Sequence, residues 1–230
     1  MTKLSNPGPV VKIHAEANKL YTPIAAINFM KSQAKANFIE TAEVHVALNL
    51  NPKYVDQQLR SSVILPKGLG KTIKIAVITR GERVSEALSA GAFIAGSDDL
   101  VEAIASGHLN FDKLIATPDA MPLIAKLGKI LGPRGLMPSP KAGTVTTDLG
   151  SSIADFKKGK IEYKVDKTGI IHLPFGKVSF SSEDLLLNLR SILMSIARNR
   201  PSGVKGKFWK TIYICSTMGS SIAISFTSFL

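Results

Sequence analysis

Thr72–Thr79 has the sequence TIKIAVIT, in which β-branched and apolar residues follow one another almost without interruption. Such a run predicts a strand that is buried on both faces, which is typical of a parallel sheet. Two further short strands are predicted at Phe93–Ala95 and Lys113–Ala116. Helical segments alternate with these strands. The order predicts a small open α/β sheet of the Rossmann-like type, with helices on both faces.

Three helices are predicted between and after these strands. The first covers Glu82–Ala90 and is followed by glycine, which commonly ends a helix. The second begins at a cap formed by Asp98 or Asp99 and runs to Ser106. The third is predicted as one continuous helix over Asp119–Leu131, with a proline in its first turn, where the missing N–H is tolerated.

The segments on either side carry different patterns. Pro23–Ala36 predicts a helix, and Ala42–Leu50 (AEVHVALNL) alternates as a half-buried strand does. Further along, Lys160–Asp166 and Gly169–Leu173 predict two strands of a hairpin around a tight turn. An apolar amphipathic helix is predicted at Ser181–Ala197.

Both ends of the chain contribute to one predicted domain. Phe208–Ser216 predicts a last strand, whereas residues 220–230 fit either an edge strand or a frayed end. We therefore predict a two-domain protein of mixed α/β and α+β class. An α+β domain made from residues 1–67 and 160–230 carries an inserted, Rossmann-like open α/β domain at residues 68–159.

Two junctions would join these domains, and both contain glycine. The first holds Pro66, Gly68 and Gly70, and the second holds Gly159. Glycine permits backbone angles that other residues avoid. These four residues are therefore predicted to act as a hinge.

The charge of the chain is segregated. The whole chain holds 29 Lys and Arg against 17 Asp and Glu, a formal net charge of +12. Residues 68–157 hold 10 basic and 9 acidic side chains, so the remainder carries +11. A basic surface binds polyanions with release of their counterions. The pattern favours a nucleic-acid partner over a merely soluble basic protein. A membrane protein is not expected, because no apolar run reaches the roughly 18 residues that a span needs.

The sequence contains no complete motif of the nucleotide-binding or metalloenzyme type. Gly68–Thr72 (GLGKT) resembles the end of a phosphate loop, but Leu65 stands where that loop needs glycine, and a strand follows instead of a helix. No two histidines have the i, i+4 spacing of a helical metal pair, and one cysteine is not expected to complete a zinc site. His45, on the polar face of its strand, is expected to be exposed or to face RNA. We predict no catalytic residues, no metal and no cofactor.

The segment Leu131–Val145 (LGPRGLMPSPKAGTV) has an unusual composition, with three prolines, three glycines and two cations. An ordinary long connection is one interpretation. Long irregular segments in compact domains are also often functional. The residues predicted to matter here are Gly132, Arg134, Gly135, Met137, Pro138, Pro140 and Lys141.

Several of these segments resemble the ribosomal protein L1 family, in the order that the family has them. Besides Leu131–Val145, they are Asn37–Val46 (NFIETAEVHV), Asp56–Arg60 (DQQLR), Val63–Gly68 (VILPKG), Phe111–Met121 (FDKLIATPDAM), Asp166–His172 (DKTGIIH), Gly176-Lys177 and Ser216–Gly219 (STMG). The resemblance covers roughly residues 20–220. It implies the same architecture, with an inserted domain.

The resemblance also implies a function. The protein would be a non-enzymatic component of the large ribosomal subunit that binds rRNA, forms the mobile stalk near the tRNA exit site and assists the release of deacylated tRNA. The alternative is a translational repressor that binds its own messenger RNA. We expect a monomer when the protein is free. Details such as Ile171–Val178 (IHLPFGKV) resemble chloroplast and cyanobacterial members most. A plastid ribosome is thus expected, with bacterial cytoplasm as the alternative.

RNA-binding residues follow from the same resemblance. They are Phe38, Glu40, Thr41, Lys167, Thr168, His172, Lys177, Ser216, Thr217, Met218 and Gly219. Phe38 is expected to pack against a ribose or base, and Thr217 to hydrogen-bond a 2′-hydroxyl or a phosphate. Core packing is the alternative for Phe38 and Met218, and without the resemblance it would be preferred. Gly219 is expected to let RNA approach the backbone, and the two lysines to contact phosphates.

Overall fold

The computed structural model describes residues 19–204 and 206–225, which form a mixed α/β fold with three sheets. The described α-helices are α1 Pro23–Gln33, α2 Arg83–Ser89, α3 Asp98–Ala105, α4 Met121–Ala125, α5 Gly128–Leu131, α6 Leu149–Lys158 and α7 Ser182–Arg198. The described strands are β1 Thr41–Leu48, β2 Arg60–Ile64, β3 Ile75–Ile78, β4 Ile94–Gly96, β5 Lys113–Ala116, β6 Lys160–Lys164, β7 Ile170–Lys177, β8 Trp209–Ser216 and β9 Ile222–Ala223. Within these ranges, no helix is long and apolar enough to cross a membrane.

A four-stranded sheet has the order β7-β1-β8-β9. β1 lies antiparallel to β7 on one side and to β8 on the other. Its alternating side chains follow the predicted pattern, since Val44, Val46 and Leu48 are buried in one core with residues of α1 and α7. The opposite face of this sheet carries polar residues such as His45, and among the described residues the helices of that core lie on the other face.

Part of the segment 220–230, for which an edge strand and a frayed end were the two alternatives, forms an edge strand. Ile222 and Ala223 pair with β8 as a short edge strand. Residues 226–230 lie outside the described residues, as do residues 1–18 of the predicted terminal domain.

The helix predicted at Ser181–Ala197 is confirmed to within one residue at each end. The Ser181 hydroxyl accepts a hydrogen bond from the Asp184 backbone N–H and caps the first turn of α7. Glu183 and Asp184 lie in that turn, where carboxylates interact favourably with the helix dipole.

A three-stranded parallel sheet has the order β4-β3-β5. All four residues of β3 are buried, as the TIKIAVIT run predicts, although the strand is shorter than that run. One apolar cluster, with Ile104 and Ile124, covers one face of the sheet. A second cluster, with Ile153 and Phe156, covers the other face. Helices therefore lie on both faces.

Two predicted helices differ in the structure. The helix predicted over Asp119–Leu131 is broken into a 3₁₀ turn at Pro118–Ala120 followed by α4 and α5. The break falls before Gly128, a poor helix former, where the Leu127 N–H bonds to the Ile124 carbonyl. In α3 the cap position is Ser97, so the carboxylates of Asp98 and Asp99 lie inside the first turn.

The sequence reasoning missed α6. The Asp148 side chain caps this helix by accepting a hydrogen bond from the Ser151 N–H at 3.1 Å. Gly159 ends it with a left-handed φ of 107°. An Asp cap and a terminal glycine are standard helix boundaries and would have located it.

The predicted hairpin was wrong in its pairing. β6 pairs with β2, and β7 pairs with β1 in a different sheet. The turn between them is present, with the Asp166 N–H bonded to the Ile170 carbonyl at 2.9 Å. Ile171, Leu173 and Phe175 on β7 are buried in the core beneath β1. That burial directs β7 to β1 and away from β6.

The two predicted junctions touch each other. The Leu65 N–H bonds to the Gly159 carbonyl at 3.2 Å. A Cβ atom at Gly159 would lie 2.7 Å from the Gly68 Cα, so glycine is required there. Asn188, fully buried on α7, anchors the first junction: its side chain accepts from the Lys67 N–H and donates to the Gly68 carbonyl, both at 3.0 Å.

Candidate RNA-binding surface

The start of β1 and the end of β8 lie side by side and bring most of the predicted residues together. The Thr217 N–H bonds to the Thr41 carbonyl at 3.1 Å, and the Thr41 N–H bonds to the Thr217 hydroxyl at 3.0 Å. Lys177 on the adjacent strand donates from Nζ to the Thr41 hydroxyl at 2.8 Å. We call this region the strand-end surface; it comprises Phe38, Glu40, Thr41, Lys177, Ser216, Thr217, Met218 and Gly219.

Glu40 braces this surface from beneath. Its side chain is buried, and its two oxygens accept from the Ala36 N–H at 3.2 Å and the Met218 N–H at 3.0 Å. Burial alone would raise the pKa of Glu40. The nearby Ser216 hydroxyl and the hydrogen bonds from backbone N–H groups together outweigh burial and hold the pKa of Glu40 below its ordinary value. Glu40 is therefore an ionised brace between the loop before β1 and the turn after β8.

Apolar side chains project outward above this brace. Phe38 is 54% exposed and Met218 is 73% exposed. Ile39, between Phe38 and Glu40, is 63% exposed. An exposed aromatic ring beside a lysine can stack on a base or ribose while the cation meets phosphate. Core packing, the alternative for Phe38 and Met218, does not fit their exposure.

Thr217 and Gly219 both make close contacts within the protein. The Thr217 hydroxyl also donates to the Thr41 carbonyl at 3.3 Å, so it holds two backbone groups of β1. A Cβ atom at Gly219 would collide with the Ser216 hydroxyl. That buried hydroxyl faces Glu40, yet it makes no hydrogen bond of good geometry within the described part of the chain. A side chain at position 219 would therefore force the Ser216 side chain to move.

Lys167 and Thr168 lie elsewhere. They occupy the turn before Ile170, whereas Lys177 at the other end of β7 pairs with Thr41. Lys177 lies seven positions after Ile170, which corresponds to roughly 24 Å at the rise of an extended strand. The structure therefore places the predicted residues in two groups at opposite ends of β7.

Asp166 organises that distant turn. Its carboxylate accepts from the backbone N–H groups of Thr168 and Ile170, each at 2.8 Å. Partial burial opposes ionisation, but these bonds, the Thr168 hydroxyl and His172 lower the pKa of Asp166 to about 2. The turn thus presents Lys167 on a fixed backbone.

His172 lies between the two groups, on the polar face of the sheet. Its Nδ1 is 2.8 Å from Nδ1 of His45, and His45 Nε2 is 3.1 Å from Cys215 Sγ. Burial, and then the neighbouring His172, lower the pKa of His45, while Glu43 acts in the opposite direction. Burial and Glu43 raise the pKa of the Cys215 thiol. His45 is half-buried on this polar face and not fully exposed, and the alternative that it faces RNA stays a prediction.

The Leu131–Val145 segment is an ordered connection. Pro138 is buried, and Met137 packs against the cluster on the parallel sheet. Gly135 has a left-handed φ of 67° in a tight turn. Arg134 and Lys141 are exposed. The exposed members Gly132 and Pro140 complete the set, and Pro140 begins a 3₁₀ turn that packs against β2.

Comparisons with known proteins agree with one another. The family model described as Ribosomal protein L1p/L10e family matches residues 30–220. The chain is 61% identical over 230 residues to large ribosomal subunit protein uL1c of Pyropia yezoensis, covering 100% of each. It is 59% identical to uL1c of Guillardia theta, over 100% of this chain and 97% of the relative. It is 58% identical to uL1 of Synechococcus sp. (strain CC9311), over 90% of this chain and 88% of the relative.

Proposed function

Because the chain belongs to the ribosomal protein L1p/L10e family, we propose that it is a non-enzymatic, structural component of the large ribosomal subunit. It binds large-subunit rRNA through the strand-end surface. The names of its relatives in a red alga, a cryptophyte and a cyanobacterium all describe large-subunit proteins, which favours this function over a messenger-RNA repressor.

One observation carries the RNA-binding assignment. Phe38 and Met218 are exposed on a loop and a turn that the buried Glu40 carboxylate fixes to each other. Exposed apolar side chains held on a rigid support lose little conformational freedom when they bind. Lys177 donates to the Thr41 hydroxyl on the same strand-end surface and supplies positive charge there. Stacking and phosphate contact are therefore available in one place.

We also infer how the chain is divided. Residues 1–67 with 160–230 form the rRNA-binding α+β domain, and residues 68–159 form the inserted Rossmann-like domain. In support, the four-stranded and two-stranded sheets use only strands from the flanks, whereas the parallel sheet uses only β3, β4 and β5. The glycine-bearing junctions suit a stalk that moves as deacylated tRNA leaves.

The plastid is the proposed location. Relatives designated uL1c, from Pyropia yezoensis and Guillardia theta, match over the whole length of this chain. Cyanobacterial uL1 proteins match nearly as well, as expected for a plastid lineage or for the bacterial alternative. Fractionation of the source cells, with detection of the protein in plastid or cytoplasmic large subunits, distinguishes the two.

The surface is tested by a matched pair of substitutions. Phe38 is 54% exposed and Phe93, on the inserted segment, is 50% exposed. Phe38→Ala should weaken binding to a large-subunit rRNA fragment by on the order of 10- to 100-fold, as expected for a lost stacking contact of about 1–3 kcal/mol. Phe93→Ala should leave affinity unchanged. Equal affinity of both variants would contradict the assignment.

A second measurement distinguishes the turn that contains Lys167 from the strand-end surface that contains Met218. Lys167→Ala should weaken specific and random RNA alike and reduce the slope of log affinity against log salt by roughly one unit. Met218→Ala should weaken only the specific fragment. Sedimentation of the wild-type protein with large subunits tests the ribosomal role directly, because a free repressor would stay at the top of the gradient.

A further inference from the structure

The polar face of the four-stranded sheet gathers metal-binding side chains from separate parts of the sequence. Glu43 and His45 lie on β1, and Cys215 lies on β8 directly opposite Glu43. One ligand atom from each of the three lies within 4.8 Å of the other two. Local spacing in the sequence gave no sign of this cluster, because strand pairing and not helical periodicity brings the residues together.

The geometry suits one metal ion of tetrahedral preference. Ligand atoms that share a zinc ion at about 2.0–2.3 Å lie roughly 3.3–3.8 Å apart. Nε2 of His45 is 3.1 Å from Sγ of Cys215, which is close to that separation. A thiolate, an imidazole and a carboxylate together favour zinc over calcium or magnesium, which prefer oxygen ligands alone.

A second layer of residues orients the histidine. Nδ1 of His45 is 2.8 Å from Nδ1 of His172, and Nε2 of His172 is 3.6 Å from a carboxylate oxygen of Asp166. If His45 Nδ1–H donates to His172, the His172 Nε2–H faces Asp166 and His45 Nε2 keeps its lone pair toward Cys215. Metal-binding histidines typically use the second ring nitrogen in this way.

We propose that Glu43, His45 and Cys215 form a zinc site on the polar face of the sheet, with His172 as a positioning residue and a water molecule as the fourth ligand. Binding breaks the Cys215 S–H bond, releases that proton to solvent and forms a zinc–sulfur bond. The ion would link β1 to β8 two residues from Thr41 and Thr217, and so lies next to the strand-end surface.

Cobalt(II) is the probe that tests this site, because a cobalt–thiolate bond gives a near-ultraviolet charge-transfer band that other ligands do not give. Cys215 is the single cysteine of the chain, so the band reports only this site. Full-length, metal-free protein should take up one cobalt ion with this band, and zinc should displace it. The measurement uses no RNA, so its result is independent of the proposed function.

Variants decide whether the ligands act together. Cys215→Ser should abolish the band, while His45→Gln and Glu43→Gln should each weaken cobalt binding at least about 10-fold. His172→Gln should weaken it by about 10- to 100-fold, the usual effect of removing a residue that orients a ligand. His108→Gln, far along the chain in an exposed position, is the matched control and should change nothing.

Two results would overturn the proposal. One is the absence of the band at saturating cobalt in folded wild-type protein. The other is a band of unchanged affinity in His45→Gln and Glu43→Gln, which would mean that the thiolate binds the ion alone. Circular dichroism of each variant establishes that a lost band does not come from unfolding.

Discussion

The four-stranded antiparallel sheet and the three-stranded parallel sheet differ in how many of their faces are covered. In the first, β1 alternates strictly between buried and half-buried residues, and one face carries His45, Cys215 and Glu43. In the second, every residue of β3 is buried between two apolar clusters. A sheet with a free face can hold polar groups without the free-energy penalty of burying them. The covered sheet can offer them only at its ends and loops.

The charges follow the same division. The segment that builds the parallel sheet is nearly neutral, whereas the flanks that build the open sheet carry almost all of the excess positive charge. Phosphate binding depends on such charge and varies steeply with salt. This division of charge supports the proposal that RNA affinity resides in the open sheet and not in the covered one.

The largest effect is expected when the two parts are separated. A protein made of residues 1–67 joined to 160–230 by a short linker should bind the rRNA fragment almost as well as the whole chain. Residues 68–159 alone should bind at least about 10³-fold more weakly, the difference between specific and non-specific binding. Gly68 and Gly159 lie against each other, so a short linker spans the gap. Fluorescence anisotropy measures both affinities, and higher affinity in the isolated middle segment would refute the assignment.

Two buried phenylalanines test the comparison by stability. Phe175 lies in the core of the open sheet and Phe156 beneath the parallel sheet, and both are almost completely buried. Each change to alanine should lower the free energy of unfolding of its own part by about 3–5 kcal/mol. Only Phe175→Ala should also reduce the fraction of protein able to bind rRNA.

Hydrogen exchange measured along the chain locates the loss in each variant. Amides of β3 and β5 should exchange faster in Phe156→Ala, and those of β1 and β8 in Phe175→Ala. Faster exchange everywhere in both variants would mean that the two parts unfold as a single cooperative unit, and the comparison between them would then not extend to stability.

Strands with a strong local pattern could be predicted, and pairings between distant segments could not. The sequences TIKIAVIT and AEVHVALNL each predict which side chains are buried, because the side chains of a strand alternate between its two faces. The partner of β7 depended on which surface buries Ile171 and Phe175, and this is a property of the assembled core. The cluster around His45 was missed for the same reason. α6 was missed although Asp148 and Gly159 marked its ends.

The candidate RNA-binding residues came from resemblance, and the structure adds what each one does. Glu40 and Thr217 hydrogen-bond to backbone groups of the protein itself, and the sequence did not indicate these bonds. Phe38 and Met218 are exposed, whereas the sequence alone would have assigned both to the core. At the end of a strand, the sequence pattern does not distinguish a residue that hydrogen-bonds within the protein from one that is free to contact RNA.

Asn188 tests how firmly the open sheet holds the junction to the other part. Asn188→Ala removes the side-chain partner of the Lys67 N–H and of the carbonyls of Gly68 and Phe175. The expected loss is about 1–3 kcal/mol in urea unfolding. Asn199, on the last turn of the same helix and largely exposed, is the matched control and should lose less. An equal loss at both positions would show that the junction is not specially anchored.

The smallest effect concerns pH, at the far end of β7. The pKa of Asp166 in the folded protein is about 2, below its ordinary value of 3.8. Its stabilising contribution is therefore complete above the unfolded pKa and is lost as the pH falls from that value toward 2. Since the side chain of Asp166 is 38% exposed, solvent screening keeps this contribution small. Asp166→Asn should flatten the dependence of unfolding free energy on pH in this window, whereas rRNA binding at neutral pH should fall only as much as in Lys167→Ala. An unchanged acid limb in urea titrations of Asp166→Asn would mean that the turn is held by its backbone alone.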